Sequence, residues 1–306
     1  MPKVSVCMIT YNHEQYIVQA LEGVFMQQCD FEIEIILSND CSTDGTHRVV
    51  TDFLSNHNQS GIVKYINNKS NLGIIPNFVF ALKQCKGDYV ALCDGDDYWT
   101  DSLKLKKQVD FLERNLDFSG IATNSLVKYE NSSREHLFKN NIKPILKAND
   151  LIGARHFHTA TFLFRRKAFK DDFPVNILSG DRALFLLVSC FGDIKLDKDV
   201  TAVYRKNEGG ISRRVISKQM KKDYKIVGYL KKYNRHLNYS KLNAFLAFTV
   251  LSYSFKLSML DFFNAAYKYL YYTSKNEKKL FAKLKSLING FKFVFKQSKK
   301  IVLSSL

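Results

Sequence analysis

Apolar residues in the first third of the chain follow two alternating rhythms. Compact runs of strand length, VSVCMIT (4–10), EIEIILS (32–38), IVKYIN (62–67) and YVALC (89–93), are separated by longer segments, 14–28, 45–57, 76–86 and 102–116, where apolar positions recur at helical spacing. In the last of these, Leu105, Val109 and Leu112 stand at i, i+4 and i+7, and Thr100 or Asp101 is the expected N-cap. Alternation of this kind predicts an α/β fold, a mainly parallel sheet with helices on both faces. From 118 to 204 the rhythm loosens, with strand-like segments at 121–129, 159–164 and 200–204 and a helix opening at Asp181 before RALFLLVSCFG.

In open sheets of this type, ligands gather at the carboxyl ends of the strands. Polar residues follow each of the four runs: Thr10, Tyr11 and Asn12; Asn39, Asp40 and Asp44; Asn71 and Gly73; Asp94, Asp96 and Asp97. The last set is the most demanding, because three carboxylates in four positions repel one another unless solvated or bridged by something positive. Asp94 and Asp96, two apart in an extended stretch, project to one side and can share a hard divalent ion. Mg²⁺ or Mn²⁺ suits oxygen-only ligands and keeps positions open for water and phosphate. Gly95 leaves room for that phosphate. A bare Asp-x-Asp is more often a solvated acidic turn, and it is the position at the end of the fourth strand that gives this one weight.

Taken together these residues resemble glycosyltransferase family 2, whose nucleotide-sugar fold is called GT-A. The matching segments are VSVCMITYNHEQYI (4–17), ILSNDCSTDGT (36–46), NLGIIPN (71–77), GDYVALCDGDDYWTDSLKLKKQVDFLE (87–113), SGDRALFLLVSCFG (179–192) and YRKNEGGIS (204–212), in the family's order; residues after about 215 lie outside the resemblance. It implies inverting transfer of a sugar from a nucleoside diphosphate donor, a UDP-sugar above others. By motif match, Thr10, Tyr11 and Asp40 line the base and ribose pocket, with Asn12 and Asn71 beside them. Asp94 lies near the ribose, Gly95 by the phosphates, and Asp96 ligates the Mn²⁺ or Mg²⁺ that bridges the diphosphate. Asp181 is the catalytic base. Each has a plainer reading alone: Asp40 as an Asx turn or helix cap, Tyr11 as a surface aromatic, Asp181 as an N-cap. Trp99 either offers a flat face to an acceptor sugar or is core, and His158 and Asp97 are further candidates on the acceptor side. His156 and His158, two apart on a strand-like run without an obvious third ligand, read as a polar strand face rather than a zinc site.

The chain departs from the family pattern in two places. Ser102 replaces a usual proline, which touches only a helix start. Asn207 stands where a histidine commonly approaches the metal or the phosphates, so the loop 205–214 is a less certain closing element. Two rivals remain at this point. One is a phosphatase of the haloacid-dehalogenase type, disfavoured by Tyr98 after the second aspartate and by the three preceding strand–helix units; the other is an inactive membrane-bound scaffold.

Charge divides the chain. Residues 1–204 carry 23 Lys and Arg against 25 Asp and Glu, net −2, whereas residues 205–306 carry 23 against 4, net +19. The division expected is a catalytic domain at 1–212 and a basic, amphipathic helical region at 213–306. The longest uncharged run there, LNAFLAFTVLSYSF (242–255), is too short and too polar to span a bilayer. In the final segment Phe281, Leu284, Ile288, Phe291, Phe295 and Val302 share a helical face while Lys285, Lys292, Lys296 and Lys300 lie largely elsewhere; Phe293 breaks the pattern and Gly290 weakens the helix. That is the composition of a helix lying in an anionic membrane surface, or of a subdomain packed on the catalytic domain with a solvated lysine face. No recognition fold accompanies the charge, so nucleic acid is not an expected partner. Six cysteines without a CxxC pair read as reduced thiols, and the N-terminus lacks a signal-peptide pattern. The expected location is cytoplasmic, peripheral at the inner face of the membrane, with a glycan or lipid-linked acceptor.

Overall fold

The four apolar runs form β1 (Val4–Thr10), β2 (Ile33–Asn39), β3 (Val63–Asn67) and β4 (Tyr89–Leu92) in a computed structural model that describes residues 1–207, 217–252, 258–277 and 280–304. The intervening segments form α1 (Ile17–Phe25), α2 (Thr46–Ser55), α3 (Ile74–Gln84) and α4 (Lys104–Arg114). Strands β3, β2, β1 and β4 pair in parallel in that order, with Thr10 opposite Asn39 and Asn39 opposite Asn67. The carboxyl ends of all four strands, and the polar residues that follow them, therefore share one edge.

Beyond β4 the sheet changes character. β9 (Leu163–Arg165) runs antiparallel between β4 and β6 (Phe118–Tyr129), β10 (Asp193–Lys206) lies parallel to β6, and β5 (Tyr98–Trp99) closes the order antiparallel to β10. β7 (Glu135–Leu137) and β8 (Ile145–Leu146) add to β6 and β10. α5 (Gly180–Val188) immediately follows Ser179 and carries Asp181 in its first turn. Val4, Val6 and Met8 of β1 enter one core with Ile17 and Leu21 of α1 and with Leu105, Val109 and Leu112 of α4. Alternation along β1 thus sends every second side chain to the same helical layer.

Two sequence expectations shift. α4 begins at Lys104, with Leu103 in the cap position and no side-chain cap, because Asp101 acts one step earlier: its Oδ1 accepts from Leu103 N at 2.9 Å. The expected strand at 159–164 is a 3₁₀ turn at Thr159–Thr161 followed by β9. There the Thr161 hydroxyl donates to His158 O at 2.7 Å, a local bond of the kind that competes with strand pairing.

Lys104 is the least expected member of the core. Its side chain is fully buried, Nζ donates to Gln108 Oε1 at 2.8 Å, and the ammonium lies 4.2 Å from the centre of the Trp99 ring. Trp99 in turn is core rather than an exposed platform: it is 2 % exposed and its Nε1–H donates to Ala160 O at 2.7 Å. Burial pushes the Lys104 ammonium down to about 7.

The chain divides into two compact units. One comprises Met1–Leu151, Arg155–Val175 and the stretch from Gly180 through β10; the other comprises Ile152–Ala154, Asn176–Ser179 and the described residues from 217 onward. The boundary expected at 212 to 213 lies outside the described residues. In the second unit, α6 (Ser217–Met220), α7 (Tyr224–Leu230), α8 (Tyr239–Ser252), α9 (Met259–Lys275) and α10 (Leu280–Ser304) follow one another. Met220, Val250, Leu251, Phe262, Ala265 and Ala266 form its core, joined by Phe293 and Val294. Phe293 does not break the helix pattern; it stacks on Phe248 with ring centres 4.8 Å apart. Gly290 has a packing reason, since a Cβ there would lie 2.8 Å from Leu270 Cδ2, so glycine lets α10 cross α9 closely. Of the apolar face read from sequence, Ile288, Phe291 and Phe295 are 55 %, 59 % and 64 % exposed. Among the described residues no helix is long and apolar enough to cross a membrane. All six cysteines are free.

Lys104 generates a pH prediction. Its folded pKa, about 7, lies below the ordinary lysine value of 10.5, so the unfolded chain binds the extra proton between those limits and the cost to folding is fully present below about 7 and lost as pH rises toward 10.5. Lys104→Met should therefore gain most over wild type near pH 7, and the difference in Tm should shrink as pH is raised to 10. A difference that does not change over that range would show the ammonium to be adequately solvated in the fold.

Candidate active site

β4 runs straight into the aspartate cluster, and the cluster stays zipped to β1: Cys93 N donates to Cys7 O at 3.2 Å and Gly95 N to Ile9 O at 2.9 Å. Asp97 N donates to Asp94 O at 3.1 Å, closing a tight turn. Glycine is required at its centre. A Cβ on Gly95 would lie 2.8 Å from Thr10 Oγ1 and 3.0 Å from His13 Nδ1, so the turn is wedged against the end of β1.

The end of β10 supplies the partners of this turn. Arg205 N donates to Asp97 Oδ1 at 2.9 Å, Arg205 Nη1 to Asp96 O at 3.0 Å, and Arg205 Nη2 to Gln19 Oε1. Asn207 Nδ2 donates to Asp96 Oδ2 at 3.1 Å, so the residue standing in the place of the family's histidine does touch the second aspartate of the motif. The same Asp96 oxygen lies 3.9 Å from His13 Nε2. Burial pushes the Asp94 carboxyl up to about 7, with Asp96 adding to the rise and Arg155 opposing it. Asp97 is driven well up by burial and by its two acidic neighbours, against the Arg205 hydrogen bond. The crowding is thus real, and it falls on the two inner carboxyls.

The residues expected on the acceptor side are inside. Asp97 is buried with its Oδ2 3.5 Å from His158 Nδ1, and His158 is buried and stacked on Tyr204, ring centres 3.9 Å apart. Burial holds the His158 imidazole well below its usual range, helped by Arg155 and Lys206. With Trp99 in the core, all three hold the turn from behind and leave its open side to others; the reason is packing by β5 and the end of β10, which no local pattern announces. His156 bonds to Asp150 O at 3.0 Å, apart from any strand.

At the end of β2, Asp40 is buried and both its oxygens are taken: Oδ1 accepts from Leu72 N at 2.8 Å and Oδ2 from Gly73 N at 2.9 Å, while Asn71 Nδ2 donates to Asp40 O at 3.0 Å. Asp40 therefore ties down the loop before α3 rather than forming its own Asx turn, and Gly73 makes this possible with φ +89. Asn12, in the left-handed region at φ +57, accepts from Thr43 N through Oδ1 at 2.8 Å and donates N–H to Ser42 Oγ at 2.9 Å, clamping the first loop to the second. Tyr11 is 43 % exposed beside it, and Thr10 is buried with Oγ1 lacking a hydrogen-bond partner. The sequence reading thus places Thr10, Tyr11, Asn12, Asp40, Asn71 and Asp94–Asp96 on one edge, and the structure brings them there.

Asp181 sits in the first turn of α5, where its Oδ1 accepts from Arg182 N at 2.7 Å and its Oδ2 pairs with Arg155. Arg155 acts electrostatically on Asp94, Asp97 and His158 as well. It links the candidate base to the aspartate turn. Sequence reasoning missed Arg155, Arg205 and His13. Arg155 lies in an irregular stretch without a pattern, whereas His13 stood inside the quoted TYNHE segment and could have been marked.

The site fits a divalent cation. Asp94 and Asp96 are oxygen ligands separated by a glycine whose Cβ would collide with the β1 end, and Thr10 Oγ1 and His13 Nδ1 are buried polar atoms beside it without hydrogen-bond partners. Among the described residues no group of three or more His, Cys, Asp or Glu side chains is already placed to hold a metal ion, so a few side chains would hold an ion whose remaining positions go to water and phosphate oxygens.

Known proteins resemble this chain in sequence and in fold. The chain is 34 % identical over 208 residues to Rv1520 of Mycobacterium tuberculosis, covering 68 % of this chain and 60 % of that one; it thus spans about 60 % of the length of this and two other mycobacterial relatives. Among solved structures, Staphylococcus aureus TarS residues 1–349 in complex with UDP-GlcNAc superposes with a TM-score of 0.70 at 20 % identity, covering 97 % of this chain and 92 % of that one. The mannosyltransferase PcManGT of Pyrobaculum calidifontis, solved with GDP-Man and Mn²⁺, gives 0.56 at 16 % identity, covering 98 % and 87 %. These likenesses establish the GT-A fold, C-terminal helices included. The sequence profile described as Glycosyl transferase family 2 matches residues 5–173, and the chain belongs to that family.

Proposed function

We propose that the protein is an inverting glycosyltransferase that moves a sugar from a UDP-sugar to a hydroxyl of a lipid-linked or cell-surface glycan precursor. The observation that carries this reading is the placement of Asp94 and Asp96 on the same sheet edge as Thr10 and Asp40, with Arg155 joining that turn to Asp181. Asp96, with Asp94, would hold Mn²⁺ or Mg²⁺, which stabilises the charge developing on a departing diphosphate without a proton donor. Asp181 takes the proton of the acceptor hydroxyl as its oxygen attacks the anomeric carbon from the face opposite the diphosphate, so the C–O bond forms and the sugar–phosphate bond breaks in one displacement. Arg155 orients that carboxylate. Thr10, Tyr11 and Asn12 border the donor, and Asp40 acts through the loop carrying Asn71. UDP is favoured over other nucleotides because the TarS structure with the highest similarity given above holds UDP-GlcNAc. Family membership counts against the phosphatase reading, and turnover with any donor would exclude an inactive scaffold.

The second compact unit supports a place at a membrane. Ile288, Phe291 and Phe295 are exposed on α10 beside exposed Lys285, Lys292 and Lys296, and Leu260, Phe263 and Tyr267 are exposed on α9. Each lysine near an anionic leaflet contributes up to about 1 kcal/mol, and apolar side chains add burial. The acceptor would then be met at the inner face, from the cytoplasmic side.

Three outcomes test this. UDP should raise the Tm of the wild-type chain only with Mn²⁺ or Mg²⁺ present, and Asp96→Ala should abolish the dependence on metal; equal stabilisation in excess EDTA would remove the cation from the reading. Asp181→Asn should lower kcat by roughly 10²-fold or more while donor affinity stays near wild type, and normal turnover would make Asp181 a helix-start residue. In liposome co-sedimentation, the chain should bind anionic vesicles at low salt and release at high salt, since charges more than about 8 Å apart are screened at physiological ionic strength. The double variant Phe291→Ser, Phe295→Ser should lose most of that binding with donor affinity intact, and a wild-type chain indifferent to anionic lipid would end the membrane part.

A further inference from the structure

Where the family resemblance implies a histidine on the strand-end loop, this chain places Asn207 beside the aspartate turn. A second side chain, the imidazole of His13, comes near the same oxygen. His13 Nε2 lies 3.9 Å from Asp96 Oδ2, the atom to which Asn207 Nδ2 donates at 3.1 Å. At 3.9 Å the His13–Asp96 approach is too long for a hydrogen bond, so neither atom satisfies the other. Two donors of one Mn²⁺ or Mg²⁺, each about 2.1 Å from the ion, stand roughly 3.0 to 4.2 Å apart, and the His13–Asp96 separation lies within that span.

The ring's position is set by backbone rather than by Asp96. His13 N donates to Thr46 Oγ1 at 2.8 Å, and His13 O accepts from Tyr16 N and Ile17 N, both at 2.9 Å, at the entry to α1. Tyr16 meets the ring edge-on, ring centres 6.2 Å apart, and the Gly95 backbone packs against the Nδ1 side, leaving no room for a Cβ. Held this way, the ring has no hydrogen bond to Nδ1, which is buried; Nε2 is the nitrogen directed at the motif. The other histidine of the site, His158, is already spent on Asp97 and Tyr204.

We propose that His13 is a ligand of the divalent cation and would contribute Nε2 to it alongside the Asp96 carboxylate. The inference rests on the donor reading above. It places a ligand on the turn between β1 and α1, held by the backbone bonds given above. The proton of the neutral ring then resides on Nδ1, on the side of Thr10 Oγ1, the other buried atom there without a partner.

Electron spin-echo envelope modulation of Mn²⁺ bound to the full chain with UDP reads this directly, because a directly coordinated imidazole nitrogen modulates the echo and oxygen ligands do not. Wild type should show nitrogen modulation, changed in pattern when histidine is ¹⁵N-labelled; His13→Gln should lose it and bind Mn²⁺ roughly tenfold or more weakly. Asn207→Ala should keep it. Circular dichroism and Tm of His13→Gln, whose backbone contacts are unaltered, establish that the variant is folded. UDP and Mn²⁺ binding without nitrogen modulation, or modulation that survives in His13→Gln, overturns the inference and leaves the donor reading standing. A chain that binds neither UDP nor Mn²⁺ overturns both.

Discussion

Three carboxylates confined to one turn at the end of a strand dominate the architecture around them. Left alone, Asp94, Asp96 and Asp97 would push the turn open, since like charges at such spacing cannot all ionise in a poorly solvated site. The fold holds them by surrounding the turn on three sides. Backbone bonds to β1 fix its path, Arg205 and Asn207 at the end of β10 bind Asp96 and Asp97, and Arg155 opposes the rise at Asp94. The long excursion from β4 through β6 and β9 to β10 brings positive and amide groups back to a strand that ended about a hundred residues earlier.

The same requirement explains why the loops at the other strand ends are tied to one another. Asn12 clamps the first loop to the second, and Asp40 clamps the second to the third. The nucleotide donor proposed above would lie across several strand ends and need them at fixed separations, and loops joined by buried or short side-chain-to-backbone bonds keep them there better than loops held by their own stems. Two non-glycine residues with left-handed backbone, Asn12 and Cys41, sit at these junctions; such conformations persist where surrounding structure over-determines them.

How much of this was legible depended on whether the signal was periodic. β1 to β4, α1 to α4 and the shared polar edge followed directly from apolar runs and their spacing, and the ordered motifs carried the family. What escaped was non-local. Asp97 and His158 were candidates on the acceptor side and Trp99 was left between platform and core, yet all three are buried where β5 pairs with β10 and Tyr204 stacks on His158, contacts between residues far apart in sequence. Nothing local marks Lys104, at the start of an amphipathic helix, as buried; its place in the core depends on the Trp99 ring beside it. In α10 the hydrophobic arc was visible, but which edge of it packs was decided by Gly290 and Phe293, the two residues that looked like flaws.

Trp99 is the chain's one tryptophan, set against sixteen tyrosines, and it lies two residues beyond Asp97 with a cationic side chain 4.2 Å over its ring. Its emission excited at the red edge of the indole band is therefore a single-site signal from directly behind the aspartate turn, with an internal quencher or polariser whose charge changes near neutral pH. The protein carries a built-in optical probe, so movement of the turn can be followed in real time on unlabelled material, without attaching a dye to any of the surfaces it uses.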